Sequence, residues 1–272
     1  MLALPGIMGF FLFYFIPLFY SVYYAFIDNN FNHNFIGLEN FTKLLNNEYY
    51  MLALANTVKF TIIGVALILS LSTIISIFFM YTGKKYSNLK VTFILPFLIP
   101  TGGVAYVWKT LFNAGGKLTM LQIVKPNPLQ LFFAPQMLPI YLIFLWKYSG
   151  FIIILISGAI TQISKEVYEA AMLDGANGLR IHTHITIPLI SPMLLFSTVL
   201  SIVNSFNIYK EIYYLYNGDY PPDAAYMLQH FMNNRFHRLD YQALSAGAII
   251  FSIVMIFITG ALYVKNHKEN AY

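Results

Sequence analysis

Residues 169–188 read EAAMLDGANGLRIHTHITIP. The stretch holds two acids, an arginine, two histidines and a closing proline, yet it lies between apolar runs long enough to enter lipid. Its position decides how the chain is organised. Helices that cross the hydrocarbon core must flank it, so the stretch itself is a loop at a membrane surface. Ser164 stands where an N-cap is expected, with Glu166 and Glu169 in the first turns, where the helix dipole favours anions. Residues Glu169, Ala170, Ala171, Met172 and Leu173 propagate a helix, Asp174 follows, and Gly175 suits the left-handed position that ends it. Asn177 and Gly178 supply a turn. A second short helix is expected through Leu179, Ile181 and Ile185 until Pro188 opens the next span.

The predicted shape is a helix-turn-helix. Its Ala170–Ala171 step lets another backbone approach, and Met172 and Leu173 offer an apolar knob. A docking element fits these residues, and so does an amphipathic helix that only anchors the loop at the interface. His182 and His184 form a His-x-His pair. With no Cys or well-placed carboxylate beside them they read as surface residues, and no metal is expected.

Outward from the loop, the composition is that of a membrane protein. Of 272 residues, 58% are hydrophobic and 10% charged, against about 25% charged in an ordinary soluble domain. The aromatic excess is mostly Tyr and Phe, as suits side chains at headgroup level. Long continuous apolar runs, rather than alternating ones, argue against a β-barrel. The net charge of +5 is scattered over loops, with no basic helix to follow a nucleic-acid backbone. The absence of Cys excludes disulfides, thiolate metal sites and Cys nucleophiles. The first apolar run is too long for a cleavable signal and lacks a basic n-region. It starts almost at Met1, so a short cytoplasmic leader ahead of it is expected.

Six spans are expected, at 4–27, 57–81, 91–112, 138–161, 190–208 and 244–264. The fold class is therefore all-α, a polytopic membrane protein with six transmembrane helices. It forms one transmembrane domain over 1–272, with the polar loop at 164–188 and an extracytoplasmic loop at 209–243. In the third span Pro96, Pro100 and the Gly102–Gly103 pair should break or kink the helix, as a packing kink rather than a hinge. Lys84, Lys85 and Lys90 in the second loop, with Lys265 and Lys268 after the last span, lean toward cytoplasmic N- and C-termini. Lys43, Lys117, Lys125, Lys210, Arg235 and Arg238 on the other side weaken that bias. In this frame the 164–188 loop is cytoplasmic.

Polar residues inside spans are expensive and are candidates for a translocation pathway. Asn204, Asn207 and Glu211 follow i, i+3, i+7 spacing on one face of the fifth span, and Lys210 beside them could pair with a nearby carboxylate. The fourth span carries Trp146, Lys147, Tyr148 and Ser149. At 1.5 Å per residue, Asn204 lies about 21 Å from the inner end of its span and Tyr148 about 15 Å from the outer end of its own. Both fall in the central to outer zone of a core about 30 Å thick. Amides that bond hydroxyls and aromatic faces that stack on C–H faces suit a sugar, although the same residue types also join helices. Trp108, Lys109 and Phe112 read as interfacial anchors. Met227, Leu228, Phe231 and Met232 predict an amphipathic outer helix, with packing ahead of contact with an external protein.

No G-x-x-x-x-G-K-[ST] occurs, so the chain cannot bind ATP through a P-loop, and no HExxH or GxSxG supports an enzyme. A transport subunit without chemistry of its own is the leading expectation. The alternative is a six-span secondary transporter using Glu211, Lys210 or Lys147. Such folds usually show inverted repeats and paired broken helices, whereas only one span here is clearly interrupted.

The opening stretch resembles the EAA loop of permease subunits in binding-protein-dependent ABC importers. Glu169-Ala170-Ala171, Asp174-Gly175-Ala176, Ile185 and Pro188 fall where that motif expects them. GLENFTKLL (37–45), ILPFLIPTGGVAYVWKTLFN (94–113) and WKYSGFIIILISGAITQISKEVYEAA (146–171) are similar to the carbohydrate branch. YLYNGDYPPDAAYMLQHFMNNRF (214–236) is similar to the maltose-type first permease (MalF-like), whose large periplasmic insertion is absent. The resemblance implies a type I importer permease fold in the plasma membrane of a prokaryote. It also implies a second permease subunit, two cytoplasmic ATPase subunits that bind the ATP and Mg, and an extracytoplasmic sugar-binding protein. Glu169, Ala170, Ala171, Met172, Leu173, Asp174, Gly175, Ile185 and Pro188 would then couple the chain to an ATPase cleft. Trp146, Tyr148, Ser149, Asn204, Asn207 and Glu211 would line the sugar path. His182 stands where the family usually has an aromatic residue, and His184 where a basic one is common.

Overall fold

The computed structural model of the protein describes residues 4–29, 31–81, 87–112 and 135–269. Lys84, Lys85, Lys117 and Lys125 lie outside the described residues, as do the side chains of Lys90, Lys265 and Lys268. The fold is all-α, and an isolated antiparallel bridge between Ile27 and Phe35 is the only extended pairing among the described residues.

Among the described residues, five helices are long and apolar enough to span a bilayer: Leu4–Ala25, Glu48–Tyr81, Leu138–Thr161, Ser191–Tyr216 and Tyr241–Ala261. Thr92–Leu98 and Thr101–Phe112, bent by 104° at the break between them, make the sixth. The second helix starts nine residues before the expected span. Asn47 caps it by accepting from the Tyr50 N–H at 3.0 Å, and a helix need not stop at the lipid surface.

Prolines shape two of the spans and the loop before the fifth. A proline lacks an N–H and its ring clashes with the carbonyl four residues back, so the preceding turn must adapt. In the first span the turn Phe11–Phe15 widens to a π-helix, with Ile16 N–H bonding Phe11 O, immediately before Pro17 takes its place in the next helical turn. The same device recurs at His182–Thr186, where Ile187 N–H bonds His182 O ahead of Pro188. In the third span Pro96 sits inside the first half, and the chain breaks at Ile99–Pro100. The glycine pair expected to share in that break lies within the helix after it, so the prolines make the bend.

The chain divides into two compact units. The first comprises Met1–Asn56 and Tyr226–Ala261. Its core gathers Ala25, Leu44, Tyr50, Ala53, Tyr226, Leu228, Phe231 and Ala246. Phe231 meets Tyr50 edge-on at 5.3 Å, so the Leu228–His237 helix packs as the sequence pattern suggested. Asn40 donates to the carbonyls of Ala25 (3.0 Å) and Ile27 (2.8 Å), tying the Glu39–Leu45 helix to the end of the first span.

The second unit comprises Thr57–Ala225 and Leu262–Tyr272. Ser72 and Ser76, one turn apart on the second span, donate to Ser149 O (3.5 Å) and Ile153 O (3.1 Å) on the fourth. Hydroxyl bonds of this kind join helices in lipid. Gly150 lies so close to the third span that a Cβ there would sit 1.6 Å from Phe93 O. The fifth span runs Ser191–Asn207, breaks at Ile208, and continues as Tyr209–Tyr216 until Asn217 turns left-handed at φ 61°. It thus ends eight residues beyond the expected 208.

Candidate functional site

Two groups in the second unit carry the candidate residues. The first is the loop between the fourth and fifth spans. Ser164 takes the extended N-cap conformation, but its side chain makes no cap bond; it bonds the Glu166 carboxyl instead. The Glu166 backbone N–H and that hydroxyl hold the carboxyl below its ordinary value. The helix Lys165–Leu173 ends as predicted. Gly175 adopts φ +78°, its N–H bonds Met172 O at 3.1 Å, and Ala176 N–H bonds Ala171 O at 3.0 Å. This pair of bonds is the Schellman cap, and it makes the turn compact without any outside partner. Asn177 then caps the next helix, its side chain accepting from Arg180 N–H at 2.9 Å.

The loop presents apolar groups outward. Leu173 is 89% exposed, Leu179 76% and Met172 56%, while Glu169, Ala170 and Asp174 are also exposed. Ala171 and Ile185 are half-buried, and Pro188 is exposed in the short helix Ile187–Leu189. The next span therefore begins at Ser191, after Pro188 rather than at it.

Behind this face lies a chain of hydrogen bonds that the sequence did not announce. Tyr81, the last residue of the second span, bonds His182 Nε2 at 2.6 Å and meets its ring edge-on at 5.6 Å. His182 Nδ1 bonds Thr186 Oγ1 at 3.1 Å, and Thr186 bonds the Tyr168 hydroxyl at 3.3 Å. Thr186 and Tyr168 are buried, and burial holds the His182 imidazole below its ordinary value. His182 is therefore half-buried and partnered by the exposed Tyr81, not a free surface residue. His184 remains exposed and bonds Thr183 at 2.8 Å.

The second group lies around the fourth and fifth spans. Lys147 forms an ion pair with Glu211 and bonds Thr101 Oγ1 at 3.2 Å, immediately after the break in the third span. The side chains are 8% and 1% exposed, and Glu211 Oε2 has no hydrogen-bond partner among the described residues. Lys210, the cation adjacent in sequence, is exposed. Tyr148 is buried against Phe97 and Phe144, with the Lys147 ammonium 5.5 Å from its ring. Ser149 is buried, and its carbonyl accepts from Ser72. Trp146 turns instead to Trp108, edge-on at 5.8 Å. Asn204 and Asn207 are half-buried, and Asn207 donates to Val203 O in its own helix at 3.3 Å. Ile208, in helical conformation, marks a one-residue turn between the segment that carries both amides and the one that carries Glu211, and Glu211 is buried where the amides are half-buried.

Contacts at the span ends fix which segments share a side. Tyr81 and the loop meet at one end. At the other, Lys109 bonds Asn217, and the Tyr216 hydroxyl donates to Gln136 O at 2.8 Å. The third apolar segment thus ends beside the far end of the fifth and crosses as a broken span.

Known proteins share this pattern. The family described as "Binding-protein-dependent transport system inner membrane component" matches residues 86–268. The arabinooligosaccharides transport system permease protein AraP of Bacillus subtilis (strain 168) is 27% identical over 83% of this chain and 73% of its own length. The trehalose/maltose transport system permease protein MalF of Thermococcus litoralis is 25% identical over 85% and 79%. The crystal structure of a bacterial ABC transporter involved in the import of the acidic polysaccharide alginate superposes with a TM-score of 0.79 at 20% identity, over 98% of this chain and 94% of that one. These matches span several sugar systems and do not single out the maltose type.

Proposed function

We propose, because the chain belongs to the family of binding-protein-dependent transport system inner membrane components, that it is the carbohydrate-translocating membrane subunit of an ATP-driven importer. Membership makes it a multi-pass membrane component of a transport system and not an enzyme. The finer reading adds a second permease subunit, two cytoplasmic ATPase subunits that hold ATP and Mg, and an extracytoplasmic sugar-binding protein. N- and C-termini are cytoplasmic in this reading, and the 164–188 loop faces the ATPase.

One observation carries the proposal: a loop capped entirely by its own backbone and Asn177 holds Leu173, Leu179 and Met172 out in solvent. Exposing such side chains costs about 1.5–3 kcal/mol each relative to burial, which a partner surface would recover. Glu169, Ala170, Ala171, Asp174 and Gly175 share that helix and its cap, and Ile185 and Pro188 carry the displacement toward the fifth span. ATP binding closes the ATPase pair, the loop moves with it, and the permease pair opens outward for sugar. Hydrolysis resets the inward-facing state.

The sugar path runs along Trp146, Tyr148, Ser149, Asn204, Asn207 and Glu211. Support comes from AraP and MalF, whose names assign them arabinooligosaccharides and trehalose or maltose. Reconstituted importer carrying Asn207→Leu should take up fewer sugar molecules than wild type from a panel of arabinotriose, trehalose, maltose and lactose, with assembly intact. Unchanged uptake kinetics across the panel would remove Asn207 from the path.

A further inference from the structure

We infer that His182 is a positioning residue that clamps the loop to the inner end of the second span, so that displacement of the loop is passed to that span as well as to the fifth. The inference rests on the ATPase-coupling reading of the loop.

The loop has a direct covalent route only to the fourth and fifth spans. The second span reaches it through side chains, and Tyr81–His182 is the link. An imidazole suits this position because its two nitrogens point in opposite directions. One meets Tyr81 at 2.6 Å and the other meets Thr186 at 3.1 Å, so a single ring bridges two elements. A neutral ring supplies one donor and one acceptor, and the hydroxyl partners on either side can adopt whichever role is left. Thr186 passes the link to Tyr168 on the first helix of the loop. The chain of four side chains therefore ties the second span to both helices of the loop, behind the exposed face of Leu173 and Leu179. The π-helical turn His182–Thr186 adds to this. Its extra residue per turn puts Thr186 within reach of His182 Nδ1 while Pro188 follows two residues later.

A phenylalanine at 182 would keep the edge-on ring contact and lose both hydrogen bonds. The chain has no Cys, so one introduced Cys reports alone. Phe78 is exposed near the inner end of the second span, and Phe78→Cys can carry a spin label there. The test uses the importer assembled with cysteine-free partner subunits, with Mg·AMP-PNP as the probe. Nucleotide should shift the label's spectrum in the otherwise native chain. His182→Phe or Tyr81→Phe should shrink that response about fivefold, the scale of the one hydrogen bond to the second span that each removes, with assembly yield unchanged. The double variant should be no worse than either single one, because both break the same link. His182→Gln, whose amide can donate and accept, should restore part of the response. A full response in both single variants overturns the inference, and so does a loss that adds in the double variant. Tyr81→Phe alone decides the matter if His182→Phe does not assemble. Leu173→Asp tests the underlying reading separately: ATPase subunits that stay bound to it would refute docking, whatever His182 shows.

Discussion

The exposed loop and the buried ion pair depart from the solvent rule in opposite directions. The loop holds Leu173 and Leu179 in water, where apolar side chains lose free energy, and it is stabilised by backbone caps that need no neighbour. The Lys147–Glu211 pair removes two charges from water, and mutual attraction, Thr101 and the Tyr148 ring compensate them. The loop's turn is self-capped, and its surface is incomplete. The ion pair is complete in surface terms and wholly dependent on three spans being in place. A self-capped knob suits a part that must meet another protein. A buried pair spanning a helix break suits a part that fixes how spans pack.

Substitutions can break this contrast, and the largest effect falls on the ion pair. Glu211→Ala leaves a buried ammonium with one hydroxyl partner and should cost about 3–5 kcal/mol of stability. Thermal unfolding in detergent should show it, and Lys147→Met with Glu211→Leu should recover most of the loss. Equal melting of the single and double variants would mean the pair is not buried in the working protein. Leu173→Asp should next weaken ATPase association by about 1.5–3 kcal/mol, roughly tenfold or more, with span stability untouched. Pull-down of the ATPase subunits checks it. Gly175→Ala forces a Cβ onto a left-handed residue at about 1–2 kcal/mol, so it should lower both ATPase association and protection of the loop from protease. Asn177→Ala should have the smallest effect, about 1 kcal/mol, seen as faster amide exchange at Arg180. A larger loss for Asn177→Ala than for Gly175→Ala would contradict the Schellman account of the turn.

The two regions also differ in how far they could be read from sequence. Capping is local: Gly175 and the helix between Ser164 and Asp174 follow from residues a few places apart and the structure bears them out, whereas Ser164 makes no cap bond and Asn177, read as a turn residue, caps the next helix. The ion pair is not local. Lys147 and Glu211 are 64 residues apart, and proximity in sequence pointed to Lys210 instead. The usable signal was physical: a lysine in the middle of an apolar span must find a carboxylate. The i, i+3, i+7 spacing of Asn204, Asn207 and Glu211 did not show that Glu211 is buried while the amides are half-buried. The His182 link was hidden for the same reason as the ion pair. Its partner Tyr81 ends another span, so a His-x-His pair in a polar loop reads as surface until the fold is known.

The central claim is that the exposed knob meets an ATPase, and labelling tests it most directly. Leu173→Cys gives this Cys-free chain a single thiol at the loop's most exposed large apolar residue. In membranes bearing this chain and its permease partner alone, a membrane-impermeant maleimide applied from the cytoplasmic side should label it fully. With cysteine-free ATPase subunits assembled, labelling should fall at least tenfold, since a buried thiol is reached only in the undocked fraction. Equal labelling with and without the ATPase would contradict the account.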